Sequence, residues 1–469
     1  MISEVLDMAS PSLRRGALAS VGRAMGWVIP GRWLISGAAV ALWCAFLGAT
    51  TLHSRSARAD GPPAADPGLS SWLRGQYMTG TWGGTRSDLE TRGVTLRAHH
   101  IAESAANPIG GLKQGAAYTE QVDAGADFDL EKLIGLPKAK LHMTFTQRAG
   151  QSLAANTIGS FISVQEIYGA GQNVRLAELS YEQLLLEDRL RIKFGWLHAS
   201  DDFATSPIYC YFQNNGFCGQ IAIVVNSGFT IYPTGSWGGM AKVSLSDEVY
   251  FQTGVYEVNP TLAAPANGFK LGISGATGVI MPAQLGWQPR LGTAGLKGHY
   301  RLGGYFDTSD VPYLGSPVGG PQALAHGRWG FYGQADQMIY RTAPGTDRGL
   351  TAFAVIAYAA PDTAMLEYIG QLGLLLKGTF AERDDDSIGL AVSYSKVSST
   401  LVGAQNVANT AAPGAVSVQS AETTIEFNYR AQLTPWFSLM PNVQYVIRPN
   451  GVTTIPNALV LGLQVKLTF

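Results

Sequence analysis

From Asn457 to Phe469 the chain alternates residue by residue. Leu459, Leu461, Leu463, Val465, Leu467 and Phe469 take one parity, and Gly462, Gln464, Lys466 and Thr468 take the other, with Val460 as the exception. A period of two predicts a β-strand with one apolar and one polar face. The same period recurs upstream. Thr423, Ile425, Phe427 and Tyr429 alternate with Glu422, Thr424, Glu426, Asn428 and Arg430; Leu296, Tyr300, Leu302 and Phe306 alternate with Lys297, His299 and Arg301. Leu190, Ile192, Phe194 and Trp196 alternate with Arg189, Arg191 and Lys193, and Leu141, Met143 and Phe145 with Lys140, His142, Thr144 and Arg148.

A soluble sandwich shows such alternation too. Two features favour a membrane barrel. The segments run to ~9–13 residues, the length of a tilted spanning strand. Aromatics collect at their ends (Tyr300, Phe306, Tyr429, Trp436, Phe437, Phe469), as in an interfacial girdle. So many apolar faces would aggregate in water, and in lipid an open sheet edge is forbidden, so the sheet must close.

Strands are predicted to begin near Val94, Gln121, Ala139, Val174, Arg189, Gly238, Val249, Val279, Ala294, Gly327, Gly349, Ile369, Ser387, Ser420, Trp436 and Asn457. A seventeenth candidate, Ile221 to Ile231, is assigned to a loop, because an even count suits a bacterial single-chain barrel. The fold class is therefore all-β, a closed antiparallel 16-stranded transmembrane β-barrel over 94–469. Its turns after even strands are short, and its connections after odd strands are expected to run from about 8 to 40 residues. The longest, from His198 to Trp237, is expected to fold into the pore and narrow it.

The apolar run Trp33 to Leu52 follows Arg14, Arg15, Arg23 and Arg32 and precedes Ala57-Arg58-Ala59. Basic, apolar and small-residue regions in that order predict a signal peptide over 1–59. Residues 60–93 then form a periplasmic N-terminal segment with a short helix, Arg86 to Arg92, ended by Gly93. Beyond residue 59 two cysteines remain, Cys210 and Cys218, both in the long connection. In an exported chain such a pair suggests one local disulfide, the alternative being two buried thiols.

Composition narrows the classes further. Of 469 residues, 14% are charged, 46% are hydrophobic and 56 are Gly, with a mean hydropathy of +0.07. Disordered chains and disulfide scaffolds do not look like this. A net charge of −1 offers no footprint for nucleic acid. There is no phosphate-binding loop, nucleophile elbow or zinc-protease helix, no metal or cofactor is expected, and His99 and His100 point to opposite faces of a strand. The run Asp384-Asp385-Asp386 is expected to be solvated. By parity the lumen receives Arg97, Asp123, Asp127, Arg148, Glu178, Glu182, Arg191, Lys193, Asp336, Glu426 and Arg430. A lining of both signs, with Trp and Tyr nearby, suits a neutral polyhydroxyl solute better than phosphate or a metal cation.

Met78 to Arg86, ending in Trp82-Gly83-Gly84-Thr85-Arg86, resembles the N-terminal signature of the carbohydrate-selective porin (OprB) family. Arg175 to Gln183, Lys193 to Trp196 with Asp202 to Ser206, Gly330 to Gln337, and Glu422 to Asn450 resemble its later motifs in the same order. Thr81 stands where Asp is common, and Arg448-Pro449-Asn450 replaces a usual Asn-Pro-Gly. The resemblance implies an outer-membrane channel, and no enzyme, for facilitated diffusion of glucose and related carbohydrates. It implies a narrow eyelet of arginines and acids, with Arg97, Arg148, Glu178 and Lys193 as candidates. Its partners would be mono- or oligosaccharides and outer-membrane lipids, with homo-oligomerisation left open. A general diffusion porin, a barrel enzyme and a plugged surface barrel are the rival functions.

Overall fold

The computed structural model describes residues 67–469 except 170 and 219; the signal peptide expected over 1–59 lies outside them. Sixteen strands form one closed antiparallel barrel: β1 Val94–Ile109, β2 Gly115–Asp129, β3 Ala139–Gly150, β4 Val174–Leu185, β5 Leu190–Leu197, β6 Ser236–Ser244, β7 Val249–Val258, β8 Gly278–Trp287, β9 Leu296–Pro312, β10 Leu324–Arg341, β11 Gly349–Ala359, β12 Leu366–Lys377, β13 Ser387–Val397, β14 Ala421–Thr434, β15 Phe437–Ile447 and β16 Ala458–Thr468. Each strand pairs with its neighbours in sequence, and β1 closes onto β16, with Ala102 opposite Val465 and Ser104 opposite Leu463. A two-residue ribbon, Arg290–Leu291, pairs with the start of β9.

The expected strand starts differ most at β2, which begins at Gly115 instead of Gln121. Gly115 to Glu120 carries small and polar residues, so its alternation is faint. This extension leaves only 110–114 between β1 and β2, and the start of β12 at Leu366 instead of Ile369 leaves 360–365 between β11 and β12. Two connections after odd strands are therefore shorter than expected; the rest are long. Ile221–Val224 is a short helix inside a loop.

Side-chain parity sorts as lipid demands. On β16, Gly462 and Gln464 point inward while Leu461, Leu463 and Val465 point out. Val460 is fully buried on the inner side, packed with Ala105, Leu153, Ile158 and Val446. Its apolar character suits a loop that covers it. Outward aromatics ring both ends: Trp287 and Tyr300 lie 5.1 Å apart near the turn end, and Trp329 and Tyr358 lie 6.0 Å apart near the loop end. His99 and His100 do split between faces, His100 meeting Glu120 at 3.4 Å on the outside.

The N-terminal segment closes the seam. Met78 N donates to Thr468 O at 2.9 Å. The Arg86 guanidinium, 2% exposed, donates to Leu96 O at 3.0 Å and Phe469 O at 2.8 Å and lies 3.4 Å from the Tyr77 ring centroid. The helix Thr85–Thr91 ends before Gly93, whose φ is +97° and where a Cβ would meet Lys132 Cβ at 2.9 Å. Only glycine fits that left-handed, crowded turn.

Two long connections enter the barrel. L2 (151–173) is held by Glu422, which accepts Phe161 N at 2.9 Å and Ile162 N at 3.3 Å, and by Gln444, which donates to Val164 O at 3.0 Å. L3 (198–235) crosses the lumen. At one side Ala204 N donates to Gln284 at 3.0 Å and Ser206 donates to Asp336 at 2.8 Å. At the other, Gln213 N and Asn214 N donate to Glu426 at 2.9 and 2.8 Å. Asn226 and Gly228 bind the Leu366 backbone and Asp307 farther round. An inserted loop brings backbone donors out of water, and the wall must supply acceptors.

Two outcomes follow from this architecture. Leu463→Arg puts a charge on the lipid face and should destabilise the barrel by about 2–4 kcal/mol, measured by denaturant titration of protein folded into vesicles. Glu426→Ala leaves two buried N–H groups without acceptors, at about 1–3 kcal/mol each. L3 should then detach, and single-channel recordings should show higher and noisier current than wild type.

Candidate functional site in the barrel lumen

L3 is stiffened where it meets the far wall. Cys210 and Cys218 are joined as a disulfide, with Cα atoms 4.4 Å apart. Phe212 is fully buried between Phe217 at 5.2 Å and Phe353 at 5.8 Å. The cross-link and this aromatic wedge shorten the unfolded span of the loop and give it an apolar foot on β11 to β13.

The charged residues expected to line the pore fall into three groups. The first stays open to water. Arg97 pairs with Asp127 at 2.8 Å, and Asp127 also meets His142 at 2.7 Å; the Arg97 side chain is 39% exposed. Arg191 bridges Glu182 at 2.7 Å and Asp202 at 2.6 Å. The second group is closed off. Lys193 and Glu178 pair at 2.8 Å in a nearly buried contact, each charge answered by the other. The third holds loops. Glu426 is fully buried under L3. Asp336, 4% exposed, accepts from Ser206 and faces Arg301 at 3.3 Å and His299. Placing Glu426 and Asp336 on the open lining is thus corrected: parity puts them inside, and L3 covers them. The Asp384 to Asp386 run is corrected likewise. Asp384 and Asp385 are exposed, but Asp386 is 1% exposed and accepts Gln432 N at 2.9 Å.

Arg148 lies where L2 and L3 approach each other. It donates to Gln121 at 2.7 Å and to Gly169 O of L2 at 3.3 Å. Beside it Asp123 accepts from Thr146 at 2.9 Å, from Gln121 at 2.9 Å and from the Tyr232 hydroxyl of L3. Arg175, within electrostatic range of Arg148, donates to Thr234 Oγ1 of L3 at 2.7 Å and keeps one buried nitrogen unpartnered. Glu166 of L2 accepts from Gln464 at 3.0 Å and is faced by Arg148, Lys466 and Arg430. Burial pushes the Glu166 carboxyl up to about 7, against the pull of those cations. Arg430 reaches Cys210 O at 3.5 Å and lies 5.3 Å from the Tyr211 ring centroid.

Sequence reasoning missed Glu166, Arg175, Tyr232 and Lys466. The first and third sit in loops, where no period assigns a face. Arg175 lies at a register shift beside β3, and a shift scrambles parity. Lys466 stood on the inward parity of β16 and was legible. Glu166 with the two cysteine sulfurs is a cluster of metal-ligand atoms, but both sulfurs are spent in the disulfide. The arrangement offers fixed hydrogen-bond donors, acceptors and tyrosine rings on the lumen wall and on the loops docked against it. Those groups can bind and orient a hydroxylated solute.

Residues 113–469 match the family described as carbohydrate-selective porin, OprB family. The chain is 33% identical over 420 residues to Porin B of Pseudomonas aeruginosa, covering 84% of this chain and 91% of that protein. It is 31% identical over 418 residues to the putative porin QuiX of Acinetobacter baylyi, covering 84% and 93%. The high-pH structure of Pseudomonas putida OprB superposes with a TM-score of 0.81 at 32% identity, covering 84% of this chain and 99% of that one. With a closed barrel and a match of this extent, the chain belongs to the OprB family of carbohydrate-selective porins, channels of the bacterial outer membrane.

Proposed function

We propose that this channel carries glucose and related small carbohydrates by facilitated diffusion, and that L2 and L3 narrow its path beside Arg148. The observation that carries the reading is the constellation of Arg148, Asp123, Thr146 and Tyr232. It sets a cation, an anion, a hydroxyl and an aromatic ring side by side where two inserted loops meet the wall. Charged groups make strong hydrogen bonds to sugar hydroxyls, and a tyrosine ring covers the apolar face of a pyranose. The opposite charges largely cancel, which favours a neutral polyol over a simple ion. Binding must stay weak enough to release the solute. No bond is made or broken, and no cofactor enters the scheme.

Millimolar glucose should block part of the ion current through the purified protein in planar bilayers. No change of current at any glucose concentration would leave a general diffusion porin. A second outcome concerns pH. Glu166 holds its proton more tightly in the packed loop than at its ordinary value of 4.5. Docking of L2 is therefore strongest below that ordinary value, weakens as pH rises through about 7 and is weakest above it. Lowering the pH from 8 to 6 also removes a negative charge from among Arg148, Lys466 and Arg430. Reversal potentials in a KCl gradient should shift toward chloride preference over that range, and Glu166→Gln should show the low-pH value throughout.

A further inference from the structure

Most lumen cations on β1 to β10 are answered by carboxylates. Arg97 has Asp127, Arg191 has Glu182 and Asp202, Lys193 has Glu178, Arg301 has Asp336, and Arg328 has Asp307 at 2.7 Å. Across β14, β15 and β16 the pattern breaks. Among the described residues Lys466 has no ion pair and no side-chain hydrogen bond. Arg430 has one long hydrogen bond, to Cys210 O at 3.5 Å, beside the Tyr211 ring, and its Nε is buried without a partner. The two cations feel each other. Neither cation forms an ion pair with its nearest acids: Glu166 accepts from Gln464, and Asp123 accepts from Gln121, Thr146 and Tyr232.

The strand register gives the geometry. Ser438 of β15 lies opposite Lys466 of β16, and Gln432 of β14 lies opposite Ser438. Arg430 is one inward step along β14 from Gln432. Arg430 and Lys466 thus stand two strands apart and two residues out of level, roughly 12 Å at the backbone, with Ser438 on the wall between them. Two long cationic side chains across such a gap can close on one carboxylate, and the serine can add a hydroxyl. Two partly desolvated like charges side by side are unfavourable until an anion joins them. The site lies on the turn side of the L3 tip, next to the path past Arg148 and within reach of the Tyr211 ring.

We propose that Arg430 and Lys466, flanking Ser438, form an anion subsite that takes the carboxylate of a sugar acid while the polyol chain lies along the channel. This rests on the carbohydrate reading above and extends it from neutral sugars to polyhydroxy carboxylates. The acid group meets the cation pair, and the hydroxyls meet the groups around Arg148 and Asp123. A simple carboxylate has the charge without the polyol and is held weakly.

The test is blockade of single-channel current by glucose, gluconate and acetate, using full-length processed protein in planar bilayers. Charge-assisted bonding should let gluconate half-block the channel at a concentration on the order of tenfold below glucose, while acetate blocks no better than glucose. In Lys466→Gln, and separately in Arg430→Gln, the gluconate-to-glucose ratio should fall to about one. A heat-dependent gel shift confirms that each variant is a folded barrel, and the wild-type ratio stands even where a variant fails to fold. Gluconate no better than glucose in the wild type overturns the subsite. So does a preference that survives both substitutions, and so does acetate as effective as gluconate. A wild-type channel deaf to glucose counts against the neutral-sugar reading alone, because the gluconate arm still decides the subsite.

Discussion

A chain in lipid cannot leave backbone N–H and C=O groups unpaired, and every other feature of this molecule follows from that demand. A sheet meets it only by closing, so β1 pairs with β16. Closure fixes an inside and an outside, and the pleat assigns alternate residues to each. Apolar Leu461, Leu463 and Val465 face lipid; polar Gln464 and Lys466 face the lumen. The N-terminal segment covers the seam by placing Arg86 against the carbonyls of Leu96 and Phe469.

The same rule acts a second time inside the barrel. L2 and L3 carry irregular backbone into a partly dry lumen, where their donors must find acceptors. Carboxylates on the wall serve that need. Glu422 holds L2, Glu426 and Asp307 hold L3, and each accepts backbone N–H groups directly. A mixed-charge lumen is therefore partly scaffolding. The acids that fix loops are distinct from pairs that stay open to water, such as Arg97 with Asp127.

This division leaves a few charged groups between the docked loops and the wall. Two loops docked at defined wall positions bring Tyr232, Arg148 and Asp123 together, and the disulfide and Phe212 keep one loop from swinging free. The charge balance among the groups left between loops and wall is local. Glu166 is the clearest case, a loop carboxyl set among three strand cations.

The strand count, the handling of Ile221 to Ile231 as loop, and the inward face of Arg97, Asp127, Glu182 and Arg191 were legible in the sequence. They depend on a two-residue period that each segment carries by itself. Faint alternation hid the first residues of β2, where Gly115 to Glu120 are small or polar except for Tyr118. Which inward charges stay open was not legible. Glu426 meets Gln213 and Asn214 across more than two hundred residues, and Val460 is apolar because L2 covers it. The sequence alone determined the barrel and which face each strand residue takes, because pleating is local. The tertiary structure alone decided which lumen groups hold loops and which stay open to water, because loop docking joins distant positions that no local period records.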